Sequence, residues 1–296
     1  MSSVMNTGPL RSWLFAPGDS DKKMSKAAES GADAVIFDLE DAVAPDGKSD
    51  ARRLVARMLA THADKRSRLW VRINPIQEGL ALDDLAAVMP GAPAGIMLPK
   101  CRGRHDAERL DHVLGALEAV NGLPIGSTRT FVLATETAEG ALAIGGYKDT
   151  PRLLAMSWGA EDLATALGAS SNEGPFGGYG FTYEMARSLC LVGAAAAGVA
   201  AIETIHGDFR DLDGLRARAG DMARAGWRGM LAIHPAQVEV INEAFTPGEE
   251  DIDRARRIVA AFEARPGAGT VGLDGMMLDR PHLERARATL AQVPKP

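Results

Sequence analysis

Eight short apolar runs, at 11–16, 33–39, 68–74, 94–99, 129–136, 153–158, 199–205 and 229–233, alternate with stretches whose apolar residues recur at helical spacing. A short run without polar alternation is a strand covered on both faces, which a parallel sheet wrapped in helices provides. Helical spacing is plain at 105–120, where Leu110, Val113, Leu114, Leu117 and Val120 share one side. Another helix is expected over 20–30, capped by Asp19 or Ser20 and stopped by Gly31. Eight strands, each followed by a helix, predict an α/β fold, a (β/α)8 TIM barrel. A doubly wound sheet would place Gly-x-Gly-x-x-Gly after the first strand, and that motif is absent there. The chain also runs past what a barrel needs. Residues 1–246 read as the catalytic barrel and 247–296 as a C-terminal helical extension, an arm or lid. That extension begins with a charged amphipathic helix at 249–264 and continues through a Gly-rich connector to a short final helix.

Bulk properties narrow the function. The 296 residues carry a net charge of −6 with no long Lys/Arg run, which argues against nucleic acid as the main partner. Two cysteines, Cys101 and Cys190, are too few for a disulfide framework, and the N-terminal residues lack the pattern of a signal peptide. The longest small-apolar stretch, 189–202, is too short to span a bilayer and reads as a helix running into a strand. A cytoplasmic protein without membrane partners is the expectation.

In a barrel the active site lies where the strands end. Those ends hold Pro17-Gly18-Asp19, Asp38-Leu39-Glu40-Asp41, Arg72 and Asn74, Pro99-Lys100, Glu136, Glu161-Asp162, Glu203 with His206, and His234-Pro235. Glu136 and Asp162, at the ends of consecutive strands, make an oxygen-ligand site for a hard cation such as Mg2+. Either acid alone reads more simply as a cap for the following helix. Asp38 reads as capping and structural pairing, and Arg72 equally as an ion-pair partner of Glu40 or Asp41. His206 and His234 lack zinc-ligand spacing and read as structural. Lys100 follows Pro99 at a strand exit, where it meets solvent or an acid. A Gly-rich stretch at 172–180, after the sixth strand, reads as an irregular loop on the site's face.

Leu-Phe-Ala-Pro-Gly (14–18), Asp-Leu-Glu-Asp-Ala-Val (38–43), Val-Arg-Ile-Asn (71–74), Met-Leu-Pro-Lys (97–100), Glu-Thr-Ala-Glu-Gly (136–140), Trp-Gly-Ala-Glu-Asp-Leu (158–163) and Ala-Ile-His-Pro-Ala-Gln (232–237) occur in this order. The ordered set resembles the citrate lyase β-subunit-like family of the HpcH/HpaI aldolase superfamily, which includes malyl-CoA and citramalyl-CoA lyases. The resemblance implies a barrel, Mg2+ as cofactor, and a homotrimer or dimer of trimers. It implies cleavage of a 3-hydroxy-dicarboxylic acyl-CoA into acetyl-CoA, or a homologue, and a 2-oxo acid such as glyoxylate, pyruvate or oxaloacetate. A malyl-CoA-type thioesterase and the lyase subunit of a carrier-protein-dependent citrate lyase are the alternatives. By position, Glu136 and Asp162 match the metal ligands, and Arg72 the arginine on the substrate oxygens. Glu40 and Asp41 match the acidic pair beside it, and Phe15 and Lys26 match positions near CoA. Asp279, in Met-Leu-Asp-Arg-Pro-His, matches an aspartate that reaches a neighbouring subunit's site. The catalytic candidates are therefore Arg72, Glu40, Asp41 and Asp279. The substrate-binding candidates are Arg72, Glu136, Phe15, Lys26, Pro99, Lys100 and His234. Positions 19, 20 and 203 depart from the family, with Asp, Ser and Glu where relatives carry Asn, Arg and Asp.

Overall fold

The computed structural model describes residues 10–293. The first half of the barrel runs β1 (Ser12–Pro17), α1 (Asp21–Ala28), β2 (Ala34–Asp38), α2 (Lys48–Thr61), β3 (Leu69–Arg72), α3 (Leu80–Val88), β4 (Gly95–Leu98) and α4 (Arg104–Val120). The second half runs β5 (Arg129–Leu133), α5 (Ala138–Leu142), β6 (Leu153–Ser157), α6 (Ala160–Leu167), α7 (Phe181–Ala197), β7 (Ala200–Glu203), α8 (Leu212–Ala225), β8 (Gly229–Ala232) and α9 (Ala236–Ala244). The eight strands are parallel and close in sequence order, with β8 pairing β1. This is the expected (β/α)8 barrel.

Several boundaries shift. Strands end earlier than the apolar runs suggest: β3 stops at Arg72 and β5 at Leu133, so Asn74 and Glu136 sit on the loops beyond. Helix α1 starts from Ser20, whose side chain accepts from the Lys23 N–H, so the departure at position 20 has a local capping role. The helix closes at Glu29 with right-handed geometry, and Gly31 is not its stop.

Period 2 along the strands explains where the site forms. Trp13, Ile36, Trp70, Met97, Phe131 and Leu133 point inward and pack together inside the barrel. Trp13 meets Trp70 and Phe131 edge-on, at 5.0 and 4.7 Å between centroids. Such pairs add about 0.5–1.5 kcal/mol each beyond burial. Gly95 makes room for this plug, since a Cβ there would lie 2.2 Å from the Trp70 ring. Two residues further along the same inward rows come Phe15, Asp38 and Arg72. The aromatic plug fills one end of the barrel and the polar side chains line the other.

Beyond the barrel lie α10 (Glu249–Glu263), β9 (Thr270–Leu273), β10 (Met276–Asp279) and α11 (Arg280–Ala291). The expectation of a purely helical extension is corrected by the antiparallel hairpin β9–β10. Its turn, Asp274-Gly275, has φ of 52° and 77°, the left-handed pair that a two-residue hairpin favours. Phe262, Val271, Leu278 and Leu283 give this unit its own apolar cluster. Its helices face the ends of α8 and α9 across a cleft of about 690 Å3 lined by Arg224, Phe245, Ile258 and Ala286. Those helix ends lead toward the plugged end of the barrel, so the extension does not lid its own chain's site. No described helix is long and apolar enough to cross a membrane.

Candidate active site

At the open end of the barrel lies a cleft of about 430 Å3, walled by Phe15, Asp41, Arg72, Glu136, Asp162 and Tyr179 among others. Arg72 is its central cation. Asp38 is the register partner of Arg72 on the adjacent strand. It accepts Arg72 Nε at 2.7 Å on Oδ1 and Nη2 at 2.6 Å on Oδ2. The ring of Phe15 lies 4.9 Å from the guanidinium carbon. Fork and ring together fix the plane of the guanidinium and leave Nη1 beside Glu40 Oε2 at 2.8 Å, out of hydrogen-bonding alignment. Burial would lower the pKa of Arg72, but Asp38 first, then Glu40 and Glu136, raise it overall, so the cation is permanent.

The turn after β2 is built to be rigid. Asp38 accepts the N–H groups of Glu40 and Ala42 at 2.9 and 3.3 Å. Lys48 Nζ donates to the carbonyls of Leu39 and Glu40 at 2.8 and 2.7 Å. Asn74 Nδ2 donates to Leu39 O at 3.1 Å and is itself gripped by the buried Asp84 at 2.6 Å. Gly18 is forced by the same turn, because a Cβ there would sit 2.6 Å from Asp38 O. Asp38 is thus the orienting partner of Arg72 as well as a capping acid. Its inward register after Ala34 and Ile36 was the signal available in the sequence.

Glu136 and Asp162 come together, and neither caps a helix. Thr137 caps α5, and α6 starts from Gly159 with no side-chain cap. Glu136 lies folded over Gly159: a Cβ at 159 would stand 2.7 Å from Glu136 Cγ and 2.9 Å from Oε1. Its Oε2 accepts the Lys100 N–H at 2.7 Å. Burial, then Asp162, then Glu40, push the Glu136 carboxyl up to about 8. Asp162, in the first turn of α6, has Oδ1 3.3 Å from Lys100 Nζ. Among the described residues no third His, Cys, Asp or Glu gathers with them into a metal cage. Two carboxylates suit Mg2+, which keeps waters or substrate oxygens as its other ligands. The crowding of negative charge on a buried carboxyl, cradled over a glycine, is what a divalent cation would relieve.

Lys100 and Glu40 also meet here. Lys100 Nζ contacts Glu40 and lies 3.6 Å from Asp41 Oδ1. Burial raises the pKa of Glu40, against the pull of Arg72 and Lys100. Asp41 lines the cleft with its side chain more than half exposed, whereas Glu40 is buried and committed to the two cations.

Other expected residues fall elsewhere. Lys26 is exposed on the last turn of α1, outside the cleft wall. His234 stacks on Phe209 at 4.9 Å and accepts the Ala236 N–H at 3.2 Å, while its neighbour Ile233 takes the wall position. Pro99 precedes Lys100 without lining the cleft. Asp279 caps α11, partnered by His282, and is absent from its own chain's cleft. Glu203 is fully buried, pairs with Arg218 and accepts Trp158 Nε1 at 3.2 Å. Arg218 stacks on Tyr179 at 5.2 Å, which fixes the end of the Gly-rich loop against the cleft. Glu203 therefore props the wall. Thr204 was not foreseen; Tyr179 was anticipated only through its loop at 172–180, and Gly159 only as the glycine before an acidic helix start.

Residues 11–235 match the family described as HpcH/HpaI aldolase/citrate lyase. A (3S)-malyl-CoA thioesterase of Cereibacter sphaeroides is 36% identical over 287 residues, covering 96% of this chain and 94% of that protein. The citrate lyase subunit beta of Haemophilus influenzae is 33% identical, covering 95% of each chain. A solved structure of CitE from Mycobacterium tuberculosis, in complex with magnesium, acetoacetate and coenzyme A, superposes with a TM-score of 0.76. It is 33% identical and covers 96% of this chain and 97% of its own.

Proposed function

Because the chain belongs to the HpcH/HpaI aldolase/citrate lyase family, we propose that it is a Mg2+-dependent carbon–carbon lyase. Its substrate is a 3-hydroxy-dicarboxylic acyl-CoA, split into acetyl-CoA or a homologue and a 2-oxo acid such as glyoxylate, pyruvate or oxaloacetate. The observation that carries this reading is the delivery of one immobilised guanidinium, Arg72, into the same cleft as the paired acids Glu136 and Asp162. The solved CitE relative, with magnesium, acetoacetate and coenzyme A together, supports the same ligand set.

In this reading Glu136 and Asp162 hold the ion, with Gly159 and the Lys100 amide fixing Glu136. Bound there, Mg2+ supplies Lewis-acid polarisation of a substrate oxygen. Arg72 faces the thioester oxygen, where negative charge grows as the carbon–carbon bond breaks and its electron pair moves into an enolate. A guanidinium suits this because it stays charged and donates from a rigid plane. The hydroxyl proton of the substrate leaves to a carboxylate, and a proton delivered to the enolate carbon completes the acyl-CoA product. Asp41, exposed in the cleft, is the candidate in the same chain, and Asp279 of a neighbouring copy is the other. Glu40, tied to Arg72 and Lys100, sets the charge around Arg72 rather than carrying the proton. Phe15 keeps water from one face of Arg72.

The second reading, hydrolysis of the thioester at the same site, is favoured by the 36% identity to a (3S)-malyl-CoA thioesterase. Free CoA formed without a 2-oxo acid would select it. Likeness to a citrate lyase subunit beta leaves the carrier-protein-dependent lyase as the third, and activity on free acyl-CoA excludes it.

Assembly as a homotrimer or dimer of trimers belongs to the proposal. It is supported by the outer face of α7, where Phe181, Met185, Leu189 and Val192 are exposed at helical spacing. The experiment for the site is Asp162→Ala. It should abolish Mg2+-dependent cleavage while circular dichroism reports an unchanged fold; full activity would sink the metal assignment.

A further inference from the structure

Lys100 does two things from one strained backbone position. Its φ is +47°, a left-handed conformation that costs a side-chain-bearing residue energy. From there its amide donates to Glu136 Oε2 at 2.7 Å. Its ammonium meanwhile reaches Glu40, 3.3 Å from Asp162 Oδ1 and 3.6 Å from Asp41 Oδ1. One residue thus reaches both acids assigned to the metal, one through its backbone and one through its charge.

We propose that Lys100 is a counter-cation built into the metal site, sharing Asp162 with the divalent ion and weakening its hold. The inference rests on the reading that Glu136 and Asp162 bind Mg2+. Mg2+ sits about 2.0–2.1 Å from a carboxylate oxygen. An ammonium 3.3 Å from Asp162 Oδ1 would be a close like-charged neighbour of an ion held by that carboxylate, poorly screened where both side chains are largely buried. Ion entry and the Lys100–Asp162 contact therefore oppose each other, and the ammonium is driven toward Glu40 and Asp41. Lys100 acts here as a positioning residue, through Glu136 and Asp162.

The test is Mg2+ titration by calorimetry of wild type, Lys100→Gly, Lys100→Arg and Asp162→Asn, without acyl-CoA. Glycine accepts φ +47° and keeps the amide to Glu136, so that variant retains the fold and loses only the ammonium. Lys100→Gly should bind Mg2+ at least about ten-fold tighter, while Lys100→Arg stays within about three-fold of wild type. Equal or weaker binding by Lys100→Gly overturns the counter-cation role. If no variant shows Mg2+ binding that Asp162→Asn removes, the metal reading fails instead, so the two failures are distinguishable.

Discussion

Asp38 and Arg72 are register partners on adjacent strands and are joined by a two-point ion pair, at 2.7 and 2.6 Å. The inward rows that place Ile36 and Trp70 in the plug at one end of the barrel place this pair at the other. Orientation of the cleft-facing guanidinium of Arg72 is thus a consequence of sheet register.

Arg72→Lys keeps the charge and loses the fork. The ammonium cannot satisfy both Asp38 oxygens and still face the cleft. Cleavage should slow about 10²–10³-fold, with the thermal midpoint little changed. Asp38→Asn should lower kcat in the same direction by a smaller factor, because it loosens Arg72 without removing it. Steady-state kinetics with circular dichroism checks both.

Gly159→Ala tests the seat of Glu136. The new Cβ would meet Glu136 Cγ at 2.7 Å, and Glu136 cannot swing away without losing the Lys100 amide. The expected result is Mg2+ affinity weakened by about ten-fold or more with the barrel intact, read by calorimetric titration. Unchanged affinity would mean Glu136 is not the ligand.

Glu118 contributes to the pH dependence of stability. Its buried carboxylate accepts the N–H groups of Gly126 and Thr128 at 2.7 and 2.8 Å and Arg152 Nη1 at 2.7 Å. Burial alone would raise its pKa, but these partners hold it below its ordinary value of 4.5. A lowered carboxylate contributes stability that is full above 4.5 and is lost as pH falls through the folded value. Glu118→Gln should therefore cost about 2–3 kcal/mol at neutral pH, a gap that narrows in urea melts below that range.

The assembly has its own test. Val192→Glu, on the exposed face of α7, should reduce the particle mass measured by light scattering. If Asp279 serves a neighbour, Asp279→Ala and Arg72→Lys chains, each impaired alone, should regain part of the activity when unfolded and refolded together. Failure to complement places the proton acceptor within one chain and favours Asp41.

Much of this was legible in the chain. Eight apolar runs mark the eight strands because strands buried on both faces have no polar period to hide them. Glu136, Asp162, Arg72 and Asp41 stand out because strand exits are where a barrel exposes polar groups. Asp38 was expected to cap and pair, and it does both; that its partner is Arg72 depends on cross-strand register. Tyr179 comes from a loop whose path is set by Arg218 and Glu203, far apart in sequence. The β9–β10 hairpin carried its signal, Leu-Asp-Gly-Met, but the flanking helices masked it. His234 and Lys26 follow their elements to positions outside the cleft wall, a matter of side-chain direction that strand-exit position does not decide.

The central claim is a Mg2+-dependent carbon–carbon cleavage at Arg72, Glu136 and Asp162. It is tested most directly by incubating the purified chain with Mg2+ and a panel of malyl-, methylmalyl- and citramalyl-CoA while measuring 2-oxo acid and free CoA in parallel. The account predicts 2-oxo acid released in step with a shortened acyl-CoA, abolished by chelation and restored by Mg2+. Free CoA without 2-oxo acid, or cleavage indifferent to chelation, would contradict it.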